Sequence, residues 1–184
     1  PCFCSSARTT TREAMSSKKD RAIAAARGGE EEANFDRVSL SEDDWAIVEE
    51  IVASTDTLQE LSLASTSMSD AETAVIAKAL KGNASITVLW VGYNEITNAG
   101  AKSLADAIEG NATLLEFYLG GNKVSNIGAI LFANALKENA TLEKIWLNNN
   151  SITDAGASAL ADAIKSNLTL EVCDLSCNKI GDVG

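Results

Sequence analysis

The chain has 184 residues, of which 46% are apolar, 22% charged and only 5% aromatic. This composition is typical of a globular protein, and no apolar run approaches the roughly 20 residues that a transmembrane helix needs. A net charge of −11 argues against duplex DNA or an anionic membrane surface as the main partner. Because histidine is absent, Ser-His-Asp catalysis, Cys-His catalysis and histidine metal centres are excluded. The composition therefore points away from an enzyme, and we expect no cofactor.

Residues 1–37 are predicted to form a basic N-terminal tail rich in Ser, Thr and Ala. Residues 1–28 carry six basic and two acidic side chains, a net charge of +4, whereas the rest of the chain carries nine basic and 24 acidic ones, a net charge of −15. Residues 5–12 are predicted to lack regular structure, and the Ala-rich residues 18–27 can form a short helix that ends at Gly28 and Gly29. The tail has the composition of an organellar transit peptide or its remnant, and a flexible linker explains it equally well.

From Leu58 onward the sequence repeats with a constant period, as the equal spacing of Leu58, Ile86 and Leu114 shows. The pattern L-x-x-L-x-L-x-x-N-x-I occurs five times in phase, with Thr66 in place of the first asparagine. Its three leading apolar columns are Leu58, Ile86, Leu114, Leu142 and Leu170; Leu61, Leu89, Phe117, Ile145 and Cys173; and Leu63, Val91, Leu119, Leu147 and Leu175. The alternating L-x-L segment predicts a short strand with one buried face.

Polar residues mark the ends of the predicted elements in each repeat. After the strand, an asparagine amide is expected to bond the backbone of the neighbouring coil at Asn94, Asn122, Asn150 and Asn178. Helix N-caps are predicted at Ser69, Thr97, Ser125 and Thr153. Asparagines in a left-handed conformation are expected to end the helices at Asn83, Asn111, Asn139 and Asn167. Each repeat is thus a strand followed by a helix, which must stack on its neighbours to bury its apolar face.

These repeats resemble leucine-rich repeats of the ribonuclease-inhibitor-like class, which includes ribonuclease inhibitor, the Ran GTPase-activating protein, tropomodulin and the repeat domains of NOD-like receptors. The resemblance covers residues 58–184 closely and 38–57 loosely. It implies an α/β solenoid shaped like a horseshoe arc, with a parallel sheet on the concave side and helices on the convex side. Residues 38–57 are predicted to form an N-terminal capping helix, with Trp45 in the core. For function, the resemblance implies protein–protein recognition.

The fifth repeat is predicted to be truncated. Gly100, Gly128 and Gly156 occupy the first helical turn of their repeats, and Gly184 is the next residue in this series. The leucine-rich repeats at 58–184 therefore comprise four complete units and one partial unit. We expect either a fragment of a longer chain or an end covered by a partner, because an uncapped repeat exposes apolar core.

The middle residue of each L-x-L segment is expected to point out of the concave sheet. This column is Ser62, Trp90, Tyr118, Trp146 and Asp174, and the next exposed column is Glu60, Val88, Glu116, Lys144 and Val172. Three aromatic side chains in register are predicted to form an exposed stripe, with Tyr93 beside it and Gly92, Gly120 and Gly121 leaving it accessible. We expect this stripe to bind a protein partner, although mutual packing of the rings is the simpler alternative.

The four cysteines give little evidence of a metal site. Neither pair has the usual C-x-x-C spacing, and Cys173 occupies an apolar repeat position. We therefore expect one buried thiol and three incidental ones, in a reducing compartment. We expect an intracellular protein, cytoplasmic or organellar rather than secreted. The predicted function is a non-catalytic interaction module without a nucleic-acid partner. The alternatives are an accessory subunit of a larger assembly and, by family analogy alone, a GTPase-activating regulator that has no arginine in its repeats.

Overall fold

A computed structural model describes residues 17–182. Within this range six helices alternate with six short strands. Their bounds are α1 Lys18–Arg27, β1 Glu32–Asn34, α2 Glu42–Ser54, β2 Glu60–Ser62, α3 Asp70–Gly82, β3 Val88–Trp90, α4 Asn98–Gly110, β4 Glu116–Tyr118, α5 Asn126–Glu138, β5 Lys144–Trp146, α6 Asp154–Ser166 and β6 Val172–Asp174. The regular alternation confirms the predicted repeat of one strand and one helix.

The six strands form one open parallel sheet in chain order, from β1 to β6. Each strand residue pairs with its equivalent in the next repeat, as Leu61 does with Leu89 and Phe117 with Ile145. The helices pack side by side, α2 through α6, on the other side of the core. The predicted α/β leucine-rich-repeat solenoid is therefore confirmed, with the sheet on its concave side and the helices on its convex side.

The core follows the predicted apolar columns. In the first four repeats the column residues are fully buried, including Leu61, Leu89, Phe117 and Ile145. In the fifth repeat Cys173 is only half-buried, because β6 has a neighbouring strand on one side alone within the described range. Burial raises the pKa of the Cys173 thiol to about 11.

The sheet begins before the first recognised repeat. The predicted helix at 18–27 is present as α1, capped by Ser17 and Asp20 and ended at Gly28. Strand β1, which lies in the range assigned to the tail, pairs with β2 and buries Ala33 and Phe35 in two of the apolar columns. The sequence pattern conceals this strand because Glu30 stands where later repeats have a leucine or isoleucine. The predicted irregular segment 5–12 lies outside the described residues.

Helix α2 starts at the predicted capping box, in which Ser41 and Asp44 bond each other's backbone amides. Val48, Ile51 and Val52 on its inner face are buried. Trp45 is half-buried and packs against this core. Trp45 therefore contributes to the packing of α2 against the core.

The predicted left-handed conformation of the asparagines at the helix ends is wrong. Asn83, Asn111, Asn139 and Asn167 have φ between −76° and −90° with extended ψ. The reason is visible at Asn111, whose Nδ2 donates to the carbonyl oxygens of Leu80 and Asn83 while its Oδ1 accepts from the amides of Thr113 and Leu114. Each of these side chains therefore ties a helix end to the preceding repeat, which an extended backbone allows.

The longest of the described helices, such as α2 and α3, have 13 residues, and none of the described helices is long and apolar enough to cross a membrane.

Candidate interaction surface

Trp90, Tyr118 and Trp146 lie side by side on β3, β4 and β5, in the predicted register. The ring centroids of Trp90 and Tyr118 are 3.4 Å apart, and those of Tyr118 and Trp146 are 3.8 Å apart, with an 8° angle between the planes in both pairs. These spacings are below the strand separation of about 4.8 Å, so the rings lean together into face-to-face contact. We call these three residues the ring stack. All three are half-buried, because the predicted exposed stripe also packs on itself.

Hydrogen bonds along the neighbouring column hold the ring stack in place. The indole Nε1 of Trp90 donates to Glu60 Oε1 at 2.9 Å, and the Tyr118 hydroxyl donates to Glu116 Oε2 at 2.7 Å. Lys144 Nζ donates to Glu116 Oε1 at 2.8 Å, which forms a partly exposed ion pair across two strands. The polar atoms of two of the three rings are therefore fixed by carboxylates of the same sheet face.

The charges of this cluster are set by these contacts. The hydrogen bonds from Lys144 and Tyr118 lower the pKa of Glu116, and the bond to Glu116 raises the pKa of Lys144. Burial, together with the bond to Glu116, raises the pKa of the Tyr118 hydroxyl. At neutral pH the cluster consequently contains a carboxylate, an ammonium group and a neutral phenol.

The two ends of the aromatic column differ. The expectation that Ser62 faces a partner is wrong, because Ser62 is buried and its hydroxyl donates to Asp36, which also accepts from the amide of Ala64. Asp174 at the other end is half-buried and accepts from the amide of Ser176 at 2.8 Å. The repeat pattern does not reveal Asp36 because residues 1–37 have the composition of a tail, although Asp36 occupies the position in its repeat that Ala64 occupies in the next.

The residues of the second predicted column and the flanking tyrosine are exposed to different degrees. Val88, Glu116 and Lys144 are half-buried on the same sheet face. Tyr93 is 64% exposed, and its φ of 55° places it in a tight left-handed turn after β3. The sheet thus presents the ring stack, with Tyr93 beside it at the C-terminal edge of the strands.

The glycines next to the ring stack lie close to side chains of neighbouring residues. A Cβ atom on Gly121, which has a φ of 74°, would lie 2.6 Å from the Tyr93 ring. A Cβ atom on Gly120 would lie 2.4 Å from the side-chain oxygen of Asn148. Glycine is favoured at Gly121 because its φ is positive and the Tyr93 ring lies against it, whereas a side chain at Gly120 would displace that of Asn148.

Among residues 17–182, no three His, Cys, Asp or Glu side chains are arranged to hold a metal ion. In that range Cys173 and Cys177 are free thiols, half-buried and exposed respectively. Cys2 and Cys4 lie outside the described residues.

Comparison with known proteins agrees with the repeat architecture. The sequence matches a family described as "Leucine Rich repeat" over residues 82–105, 110–133, 138–161 and 166–184. No curated protein matches the chain by sequence.

Two solved structures share the fold over most of the chain. A structure of leiomodin-1 actin-binding site 2 is 22% identical, has a TM-score of 0.66, and the match covers 84% of this chain and 91% of that one. The C-terminal domain of tropomodulin from Caenorhabditis elegans is 18% identical, has a TM-score of 0.67, and the match covers 82% and 93% respectively. At this identity the likeness concerns the fold alone. With its constant repeat period, its open parallel sheet and its four matched repeats, the chain is a leucine-rich-repeat protein.

Proposed function

We propose that this protein is a non-catalytic interaction module that binds a partner protein on its concave sheet face. The observation that carries the proposal is the ring stack, in which three large aromatic side chains occupy one column of an open sheet face in a chain with only 5% aromatic residues. Trp and Tyr dominate the binding energy of protein interfaces. A stack held by Glu60 and Glu116 is already ordered, so a partner loses little entropy in meeting it.

The position of the ring stack supports recognition over simple surface cover. Side chains that only cover a sheet need not be aromatic, and the neighbouring column uses valine and charged residues for this purpose. The rings are half-buried, so part of each remains open to solvent on a face that no described helix covers. A contiguous aromatic patch of this kind marks a binding site more often than not.

The accessory-subunit alternative requires residues 1–37 to contact other chains. Three basic residues of that range contact the protein itself: Lys18 Nζ donates to the carbonyl oxygen of Asp36, Lys19 pairs with Asp44, and Arg27 pairs with Glu50. These contacts engage most of the basic side chains of α1 within the protein itself. They therefore favour binding of a partner by the sheet face over contact of residues 1–37 with other chains. A role as a GTPase regulator has no support from a particular residue.

The experiment is affinity capture from native extract with the full chain and two variants, read by mass spectrometry. The first variant carries Trp90→Ala, Tyr118→Ala and Trp146→Ala. The control variant carries Ile127→Ala and Ile130→Ala, which remove exposed apolar side chains from the convex helix α5. Because one of the structural relatives is an actin-binding site, purified actin filaments form a separate arm of the capture experiment.

We expect a partner that the wild type and the α5 control both capture and that the ring-stack variant loses. Circular dichroism should show the same helix content for all three proteins, because the ring stack lies outside the fully buried apolar columns. A partner captured equally by the ring-stack variant would contradict the proposal. Loss of capture in the α5 control alone would place the interface on the convex side instead.

A further inference from the structure

The ring stack has two outer faces without an aromatic neighbour among residues 17–182. One face of Trp90 contacts Tyr118, so its other face is turned towards β2, where the column continues with the small residue Ser62. One face of Trp146 contacts Tyr118, so its other face is turned towards β6, where the column continues with Asp174. The side chain that follows each ring in the column is short, so no second ring of this protein lies against either outer face of the stack in the described range.

A carboxylate stands at each of these ends. Glu60 accepts the indole hydrogen bond of Trp90, and Asp174 is the register partner of Trp146. No described lysine or arginine forms an ion pair with either carboxylate, whereas Glu116 in the middle is already paired with Lys144. Each outer ring face thus combines the negative potential of an indole with a carboxylate that has no cationic partner in the described part of the chain.

We propose that the outer faces of Trp90 and Trp146 each bind the guanidinium group of an arginine from a partner protein, with Glu60 and Asp174 as the paired carboxylates. The inference rests on the proposed function and names the partner chemistry of the same surface. Arginine fits better than lysine, because a planar guanidinium stacks flat on an indole and still directs N–H donors at a carboxylate beside the ring. The protein offers no competing arginine in the strands and helices from α2 onward, since Arg37 is the last one in the sequence.

The length of the ring stack sets the spacing of the two arginines. Two guanidinium planes at van der Waals distance from the outer rings would lie about 14 Å apart. About four residues of extended chain span this distance. The preferred partner segment therefore carries two arginines four positions apart, and the net charge of −11 on this chain assists the approach of a basic segment.

The test uses a synthetic extended peptide with two arginines four positions apart, and the same peptide with lysines in their place. Binding to the full chain is followed through the indole N–H signals in proton–nitrogen NMR, because the chain has three tryptophans. We expect the arginine peptide to shift the signals of Trp90 and Trp146 and to leave that of Trp45 unchanged. The lysine peptide should bind roughly threefold to tenfold more weakly.

Three variants sharpen the result. Glu60→Gln keeps an acceptor for the Trp90 indole but removes the charge, and Asp174→Asn does the same at the other end. Each should weaken the arginine peptide by roughly threefold to tenfold. Glu109→Gln, an equal change of charge at an exposed position of the convex helix α4, should leave the affinity unchanged.

Equal binding of the arginine and lysine peptides would overturn the inference, as would indole shifts at Trp45 instead of the two outer rings. It would also be overturned if Arg8→Ala with Arg12→Ala moved the Trp90 and Trp146 signals without any peptide, since the chain itself would then be the occupant. A captured partner that needs the ring stack but tolerates the loss of its own arginines would refute this inference and leave the proposed function intact. The proposed function fails separately if the ring-stack variant captures the same partners as the wild type.

Discussion

The carboxylate of Asp70 accepts a hydrogen bond from the backbone amide of Gly100 at 2.9 Å, so the first residue of α3 caps the start of α4. The same carboxylate accepts from the amide and hydroxyl of Thr97, the N-cap residue of α4. Partial burial opposes ionisation of Asp70, but these hydrogen bonds outweigh it and lower its pKa. Helix starts in this protein are therefore satisfied between repeats as well as within them.

Replacement of Asp70 by alanine is expected to lower the free energy of unfolding by about 1–2 kcal/mol, because the first turn of α4 loses its acceptor. Asp70→Asn should cost far less. Asn98 and Asn126 occupy the equivalent positions in the next repeats, and their Oδ1 atoms accept from the amides of Gly128 and Gly156 in the same way. Urea unfolding at pH 7 measures both variants. Equal losses for asparagine and alanine would show that the charge matters and not the acceptor.

The tight packing around the glycines at these helix starts leads to a second prediction. A Cβ atom on Gly128 would lie 2.5 Å from Val124 Cγ1 and 3.1 Å from Ala101 Cβ, so Gly128→Ala forces buried side chains apart. We expect a loss of about 1–3 kcal/mol in the free energy of unfolding.

Gly82→Ala is the matched control for this change. Gly82 also lies in a helix, at the end of α3, but a Cβ atom there meets no atom within 4 Å. This variant should be neutral or stabilised by about 0.4–1 kcal/mol, because alanine restricts the unfolded chain. Thermal unfolding of the two variants side by side decides the point, and similar melting temperatures would refute the packing explanation.

The sequence predicts most of this fold because equivalent residues make the same contacts in every repeat. The columns through Leu61 and Leu63 indicate which side chains are buried, and the position of Trp90 in the column between them places the ring stack on the open face. The period also predicts the N-caps at Ser69 and Thr97, both of which accept a hydrogen bond from a first-turn amide. Ser125 and Thr153 occupy the same position without this bond, since Asn98 and Asn126 engage their hydroxyl groups.

The features that sequence patterns do not predict depend on side chains reaching across repeats. The bond from Trp90 to Glu60 joins residues on different strands, and no periodic pattern requires it. The burial of Ser62 depends on Asp36, which follows a strand without a complete apolar signature. The extended conformation of Asn111 follows from carbonyl groups of the preceding repeat rather than from its own helix. Local propensity carries no information about these contacts.

The asparagines after the strands provide a third prediction. Asn122 is buried, its Nδ2 donates to the carbonyl oxygens of Val91 and Leu119, and its Oδ1 accepts from the amide of Ile96. Asn122→Ala leaves the buried amide of Ile96 without a partner and removes one of two donors from each carbonyl, since Asn94 still donates to Val91 and Asn150 to Leu119. We expect the free energy of unfolding to fall by about 2–3 kcal/mol, as measured by urea unfolding.

Asn178 makes the equivalent bonds to Leu147, Leu175 and Ile152 but is only half-buried. Water can therefore replace part of what Asn178→Ala removes, and its loss should be clearly smaller than that of Asn122→Ala. Comparison of the two variants isolates the free-energy cost of burying backbone groups that have lost a partner, because the chemical change is identical. A loss at Asn178 as large as that at Asn122 would mean that the bonds themselves, and not their exclusion from water, determine the stability.

The ion pair beside the ring stack predicts a pH dependence. Because the folded protein lowers the pKa of Glu116 below its ordinary value of 4.5, its contribution to stability is present above about pH 4.5 and is lost as the pH falls through the lower folded value. Lys144 has a raised pKa, so its contribution persists up to its ordinary value of 10.5 and is lost only at higher pH. Between these limits Glu116→Gln should destabilise the protein, by about 0.5–1 kcal/mol at pH 7, because the pair is partly exposed.

Urea unfolding of Glu116→Gln and the wild type across this pH range measures the contribution of the Glu116 charge. The difference in the free energy of unfolding should shrink as the pH falls below 4.5 and through the lowered pKa of Glu116, because the wild-type carboxylate is progressively protonated and loses its attraction to Lys144. Glu109→Gln removes a charge from the convex face without breaking any described ion pair, so it should show no such trend. A difference that stays constant down to pH 3 would show that the Tyr118 hydrogen bond, and not the charge of Glu116, carries the effect.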